Sequence, residues 1–289
     1  MKNTIYIPLT AAPFRQDETY REILPQSPEL ARYIRCFWGS SHPYLKKETP
    51  SDTTIVIPDT CADILYYIDY TDNTVTGSFC GINDTSFTNC ENTPPGHLIS
   101  VFAIRFYAWG AYAFSEDSLK GTINGYYDVQ SRFLRLDRLL RQQLLEKHSL
   151  EERRCLAEEI LLRRTFPERQ QNAVAHAIHQ ILSQKGVLSI SGLAEECFIS
   201  GRQLERLFQE YIGITPKKLC NLVRYQYLWN EILNNPRLRI LDAVYKYGYT
   251  DQAHLMREFK RYHTMDIQTA KAYARHHVGN IQYTCESPM

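Results

Sequence analysis

The stretch Leu204-x-Arg206-x-Phe208-x-x-Tyr211 returns 51 residues later as Leu255-x-Arg257-x-Phe259-x-x-Tyr262. Upstream of it, Leu188-Ser189-Ile190 returns after 50 residues as Leu238-Arg239-Ile240. Internal repetition of this kind marks one supersecondary unit used twice. Each copy predicts a short helix (Ile190 to Cys197; Ile240 to Tyr247), a tight turn, and a second helix (Gly201 to Tyr211; Asp251 to Tyr262). In the first copy Leu204, Leu207, Phe208 and Tyr211 recur at spacings of three and four, which makes one apolar stripe to lay against the preceding helix.

The face opposite that stripe carries Arg202, Gln203, Glu205 and Arg206 in the first copy and Gln252, Ala253, His254, Met256 and Arg257 in the second. Arginine can pair bidentately with guanine and glutamine with adenine, while Ala253 and Met256 can touch thymine methyl groups. Ser200 and Thr250 stand where N-caps belong, an arrangement that points helix N-terminal amides at backbone phosphates. Lys217, Lys218, Lys260 and Arg261 are the candidate cations for further phosphate contacts. Between the copies, Thr215-Pro216 reads as an N-cap followed by proline at the first helical position, and Leu219, Leu222, Val223, Gln226, Trp229, Ile232 and Leu233 continue helically to Asn234-Asn235-Pro236. A rigid connecting helix would place two recognition helices about 34 Å apart, in successive major grooves of double-stranded DNA.

Charge follows the same division. Residues 1–127 hold 9 basic and 14 acidic side chains, 128–171 hold 10 and 8, and 172–277 hold 14 and 9. A net charge of +1 over 289 residues therefore hides an acidic front and a basic back, and only the back end suits a polyanion.

These residues resemble the DNA-binding domain of the AraC family of bacterial transcription regulators. The similarity lies in Tyr247-Gly248-Tyr249-Thr250-Asp251-Gln252-Ala253-His254-Leu255-x-Arg257-x-Phe259-Lys260 and in Tyr211-Ile212-Gly213-Ile214-Thr215-Pro216, and it covers residues 172–275. Two positions depart from the family pattern. His263-Thr264-Met265-Asp266-Ile267-Gln268 replaces the usual aromatic-glycine-x-Ser/Thr-Pro segment, and Phe198 stands in the first turn instead of glycine.

Ahead of this module, strand-like runs alternate with turn formers: Tyr33 to Trp38, Thr53 to Ile57, Ile64 to Tyr70, Thr74 to Cys80 and Leu98 to Phe106. They predict an antiparallel barrel or sandwich. Tyr33-Ile34-x-x-Phe37-Trp38, Ile57-Pro58-Asp59, Val75-x-Gly77 and Ile104-Arg105-Phe106 resemble a poorly characterised domain found before such modules, which implies a sensor. In the family this position is held by a cupin-like β-barrel followed by dimerising helices. The expected fold class is thus α+β in two domains: an N-terminal cupin-like antiparallel β-barrel with a helical pair, then an all-α double helix-turn-helix domain. The expected division is 1–127 for the β-rich domain, 128–165 for the amphipathic helices, 166–171 for a linker broken by Pro167, 172–277 for the DNA-binding domain, and 278–289 for a tail.

In the helical pair the apolar positions read as Leu134, Leu139, Leu140, Leu144 and Leu145, then Cys155, Leu156, Ile160 and Leu161. Its polar faces carry Arg135, Arg138, Arg141, Glu151, Glu152, Arg153, Arg154, Glu158 and Glu159. They fit either a solvated surface or a homodimer interface.

Trp38, Arg105 and Trp109 are the candidate residues for binding a small-molecule effector. Strand alternation in Val101 to Phe106 puts Arg105 on the face of Val101 and Ala103, opposite Phe102, Ile104 and Phe106. There it either clamps an anionic effector or makes a structural salt bridge. No cofactor and no metal is expected, because the first 127 residues hold only His42 and His97. No nucleophile-elbow, phosphate-loop or zinc-protease motif occurs, so an enzyme is not expected. Eight cysteines without metal-finger spacing read as reduced, mostly buried thiols. The N-terminus lacks a signal-peptide pattern and Leu98 to Phe114 contains Arg105, so a cytoplasmic protein with no membrane partner is expected. RNA polymerase would be a partner if the regulator activates. A protein partner controlling the front half, in place of a metabolite, stays open as an alternative.

Overall fold

The computed structural model describes residues 6–9, 11–12, 20–46, 54–89, 94–163 and 171–277. The expected linker, except Gln171, lies outside the described residues, as do the tail 278–289, Cys90 and Cys285.

Among the described residues ten strands come first: β1 (Ala11–Ala12), β2 (Tyr20–Ile23), β3 (Ile34–Ser40), β4 (Tyr44–Leu45), β5 (Thr54–Val56), β6 (Cys61–Asp69), β7 (Thr74–Cys80), β8 (Phe87–Asn89), β9 (Leu98–Tyr107) and β10 (Tyr126–Asp128). All pairings are antiparallel. The main sheet runs β10-β7-β6-β9-β3-β2, with β4 also on β9, and a separate sheet runs β1-β5-β8. The expected cupin-like barrel is therefore corrected to an open antiparallel sheet: β10 and β2 are its two edges, and among the described residues no hydrogen-bonded ladder joins them. Closure needs a continuous ring of paired strands with matched shear, and here the short strands form a second sheet instead.

Alternation along β9 decides the packing. Phe102, Ile104 and Phe106 face the main core, where Phe106 meets Phe114 and Phe133 with ring centroids 5.5 and 6.5 Å apart. Val101 and Ala103 lie on the other face in a small cluster with Leu65, bordered by Tyr20, Trp38 and Tyr67.

Two helices cover the core face, α1 (Gln130–Leu144) and α2 (Leu150–Leu162). In α1 the buried stripe is Phe133, Leu136, Leu140 and Leu144, whereas Leu134 and Leu139 are exposed, so the stripe is rotated from the sequence reading. Phe133 has non-helical dihedrals (φ −134°, ψ 42°), which put a kink near the start of α1. The polar face of α2 is corrected too: Arg153, Arg154 and Glu158 are buried. Arg153 donates to the Ser40 and Lys147 carbonyls and to the Tyr70 hydroxyl, and Glu158 accepts from the Gln26 N–H and from Arg154. These charges tie the helix to the sheet. Ser149 caps α2 through a reciprocal capping box with Glu152.

The second half is all helical: α3 (Gln171–Ser183), α4 (Ile190–Glu196), α5 (Gly201–Tyr211), α6 (Pro216–Asn234), α7 (Ile240–Lys246), α8 (Gln252–His263) and α9 (Ile267–His277). Among the described residues, no helix is long and apolar enough to cross a membrane.

The departure at His263 is solved locally. Thr264 takes the left-handed conformation (φ 64°) that Gly213 (φ 85°) takes in the first copy. Asp266 accepts from the N–H groups of Gln268 and Thr269, as Thr215 accepts from that of Lys218, and Ile267 is buried in the proline's place. His263 itself is fully buried against Trp229 and Phe259, its Nδ1 2.8 Å from the Tyr225 hydroxyl, and burial pushes its pKa from 6.5 down to about 4. Across that window the unfolded chain takes up a proton that the folded chain refuses. Stability should therefore be unaffected by this group above pH 6.5 and fall by up to about 3 kcal/mol as pH drops toward 4. Denaturant unfolding of His263→Gln at several pH values checks this: the variant should lose that part of the slope, and an unchanged slope contradicts it.

Candidate nucleic-acid interface

Both copies build the same turn from the same backbone bonds. Ile199 N–H reaches the Ala194 carbonyl at 3.1 Å, and Tyr249 N–H reaches the Val244 carbonyl at 3.0 Å. Each turn requires a left-handed residue, supplied by Phe198 (φ 55°) and Gly248 (φ 64°). A phenylalanine there is strained by roughly 1–3 kcal/mol, yet the turn persists with Phe198 95% exposed.

The second helix of each unit, α5 and α8, buries its predicted stripe. Leu204, Leu207, Phe208 and Tyr211 are buried in the first, and Leu255, Phe259 and Tyr262 in the second. Ser200 caps α5 by accepting from Gln203 N–H. The second cap is corrected: Asp251, not Thr250, accepts from His254 N–H at 2.6 Å. Aspartate is among the strongest N-caps, and the sequence shows it one residue after the threonine.

Arg202, Gln203, Glu205 and Arg206 all stand exposed on α5. Arg206 is braced by Glu210 at 3.2 Å but keeps 64% of its side chain in solvent. On α8, Gln252, Ala253 and Arg257 are exposed. His254 is half-buried with its ring edge-on to Tyr249, and Met256 packs against the core, so these two are drawn back from the outer face. Lys217 and Lys260 are exposed. Lys218 and Arg261 lie 2.7 and 3.8 Å from the Asp84 carboxylate of the β-domain.

The 19 residues of α6 make a rod about 28 Å long. Leu222, Val223, Tyr225, Leu228 and Trp229 on it are buried. Arg224 bonds Glu258 of α8 at 2.7 Å and lies 4.4 Å from the Tyr249 ring centre, so the connector grips the second unit.

The β-domain also reaches this helix. Gln226, 2% exposed, accepts from Leu9 N–H and donates to the carbonyls of Leu9 and Pro58. Leu119 N–H donates to the Glu210 carbonyl, and Tyr112 packs on Tyr211 with centroids 4.1 Å apart. None of these contacts is legible in sequence, since the partners are 91–217 positions apart and carry no motif.

At the effector candidates, Arg105 and Trp38 come together, the guanidinium 5.3 Å from the indole centre. Arg105 is held bidentately by Asp63 at 2.9 and 3.0 Å, with Glu22 at 3.7 Å. Trp109 makes its contacts elsewhere, stacking on Tyr107 and donating to the Arg32 carbonyl. One trio among the described residues, Asp69, Asp72 and His97, gathers metal-type ligand atoms within 4.8 Å. Asp69 there already accepts from His97 at 2.7 Å and from the Thr71 and Asp72 N–H groups, which closes the β6–β7 hairpin. Cys36, Cys61, Cys80, Cys197 and Cys220 are free and buried, and burial raises each thiol's pKa, the direction opposite to a reactive thiolate.

Residues 193–272 match the family "Helix-turn-helix domain", and residues 21–126 match "Domain of unknown function (DUF6597)". No curated protein matches the chain. Among solved structures it is similar to a transcriptional regulator with an AraC-type DNA-binding domain from Chromobacterium violaceum, 21% identical, over 36% of this chain and 93% of that one, with a TM-score of 0.34. It is also similar to ToxT from Vibrio cholerae, 14% identical over 84% of this chain and 99% of that one, TM-score 0.39. ToxT bound to (E)-4-(8-methylnaphthalen-1-yl)but-3-enoic acid is 12% identical over 82% and 99%, TM-score 0.41. The chain thus carries an AraC-type helix-turn-helix domain behind a β domain of uncharacterised role. A pair of helix-turn-helix units is a DNA-reading module.

Proposed function

We propose that the protein acts in the cytoplasm as a sequence-specific, dimeric regulator of promoters, reading DNA with α5 and α8 and adjusting that reading to a small molecule held by the β domain. The observation that carries it is the pair of matching helix-turn-helix units with exposed Arg206 and Arg257, joined by the single helix α6. Exposed Leu134, Leu139 and Leu162 on α1 and α2 support a self-association surface. The aromatic border of the second sheet face, Tyr20, Trp38 and Tyr67, supports an apolar effector site, where Arg105, already neutralised by Asp63, orients ring groups instead of clamping an acid.

Base reading and phosphate contact separate by mutation. Arg206→Ala and Arg257→Ala should each lose about 1–3 kcal/mol on the cognate site and relax base preference locally. Lys217→Ala and Lys260→Ala should weaken all sequences alike and flatten the salt dependence by about one contact each. Fluorescence anisotropy on cognate and random duplexes over a salt series distinguishes the two. Equal losses on random DNA for the arginine variants contradict the assignment. For the sensor, thermal melting against a metabolite panel should show a saturable upshift; a protein that co-purifies and sets DNA affinity, with no metabolite shift, would instead establish control by a protein partner.

A further inference from the structure

The two domains meet at a point that carries more charge than packing requires. Asp84, in the segment between β7 and β8, is buried, its side chain only 7% exposed. Its carboxylate accepts from Lys218 Nζ at 2.7 Å and lies 3.8 Å from the Arg261 guanidinium. Lys218 stands in the first turn of α6, just past the first helix-turn-helix unit, and Arg261 stands in the last turn of α8, the second helix of the other unit. One carboxylate therefore draws together a cation from the start of the connecting helix and one from the second helix-turn-helix unit.

The carboxylate is aimed deliberately. Asn124 donates from Nδ2 to Asp84 at 2.6 Å and accepts the Asp84 N–H at 2.8 Å, so the side chain cannot swing away alone. Ser86 donates to the Tyr262 carbonyl beside Arg261. On the first unit, Ser118 and Leu119 donate to the Glu210 carbonyl, and Thr122 Oγ1 would stand 2.7 Å from any Cβ at Gly213. Burial alone would raise the Asp84 carboxyl, but the hydrogen bonds from Lys218 and Asn124 hold it below its usual range. The recognition side chains of α5 and α8 remain exposed while this happens. Lys218 and Arg261 keep 43% and 58% of their side chains in solvent, so Asp84 engages their charge without burying them.

We propose that Lys218 and Arg261 form an anion site for a backbone phosphate of DNA, and that Asp84 fills that site when the β domain is docked as seen here. A carboxylate and a phosphate offer the same feature to an ammonium and a guanidinium, namely an oxyanion, which Lys218 hydrogen-bonds and Arg261 meets as an ion pair at 3.8 Å. Docking at this point and phosphate contact at this point then exclude each other. Anything that loosens the 82–86 segment or the 118–124 loop from the helical domain releases two positive charges to DNA without touching base recognition. The inference rests on the reading of α5 and α8 as DNA-contacting helices and specifies how that surface is held in check.

The test uses the full chain and anisotropy titrations on a cognate and a random-sequence duplex over a salt series. Asp84→Asn keeps the shape and removes the charge. It should bind both duplexes about tenfold more tightly at low salt, with the slope of log K against log salt steeper by about two phosphate contacts and the preference for the cognate duplex unchanged. Lys218→Gln combined with Arg261→Gln should abolish that gain in the Asp84→Asn background and leave the slope of the Asp84-containing chain unchanged, because the carboxylate already occupies both cations. Should Asp84→Asn fold poorly, the Lys218→Gln/Arg261→Gln chain still decides: a flattened slope with Asp84 present would mean the cations already touch DNA and would overturn the proposal. An unchanged or weaker affinity for folded Asp84→Asn, alongside normal cognate binding by the unmodified chain, overturns the proposal and leaves the DNA-binding reading standing. Failure of every form to bind either duplex overturns both.

Discussion

Replacing Phe259 with alanine is expected to destabilise the helical domain by about 3–5 kcal/mol and to abolish its binding to the half of the site read by α8. Phe259 is 1% exposed, stacked on His263 at 5.0 Å and tilted against Trp229 and Tyr225 at 5.5 and 5.9 Å. Its ring is what seats α8 on α6, so truncation leaves a cavity whose aromatic walls cannot close over it. The position of Arg257, two residues earlier on the same helix, depends on that seat. Denaturant unfolding gives the stability change, and protection of DNA under each unit gives the second readout. Phe259→Leu, which keeps most of the volume, should lose far less. A loss under about 1 kcal/mol for the alanine variant would show that α8 is held by other contacts.

Arg105→Ala is expected to cost about 3 kcal/mol or more in the β domain. The side chain is 7% exposed and satisfies Asp63 through two hydrogen bonds, with Glu22 beyond it, while Trp38 donates to the same Asp63 oxygen at 3.1 Å. Removing the cation strands the Asp63 carboxylate, while Glu22 keeps Arg35 at 3.7 Å. Replacing Arg105 and Asp63 together with leucines should recover much of the loss, because a matched apolar pair of similar volume avoids the desolvation cost altogether. Chemical denaturation of the single and double variants measures this. A near-neutral single variant that instead loses its response to the effector would return Arg105 to the role of ligand clamp.

The helical half was legible because its signal is local. The stripe at Leu204, Leu207, Phe208 and Tyr211 and the repeat at a shift of 51 required only neighbours within a few turns, and the structure buries all four residues. The Asp251 cap is hidden in sequence for an equally local reason, since threonine and aspartate both cap and only backbone geometry shows that Asp251, not Thr250, takes the cap position. In the β domain the long runs at 61–69, 74–80 and 98–107 announced themselves by alternation, but β1, β4, β8 and β10 are two or three residues long and carry no period to detect. Whether ten strands close into a ring is decided by pairings between residues far apart in sequence, such as Trp38 with Ala103, and so the open sheet could not be read beforehand. Arg153, Arg154 and Glu158 fit a solvated face or a dimer interface in sequence, yet the structure buries them, because a helix wheel shows which residues share a side and not what that side meets. The Asp84 contact is the extreme case: 134 residues separate it from Lys218, and neither sequence context differs from an ordinary surface charge.

The most direct test of the central claim is selection of bound fragments from a random DNA pool with the full-length protein, repeated with Arg206→Ala and Arg257→Ala. Two reading helices on one rigid connector predict a motif with two blocks about one helical turn apart, the block under α5 relaxed by the first variant and the block under α8 by the second. A single block, or a motif that neither variant alters, would contradict the assignment of α5 and α8 as the base-reading elements.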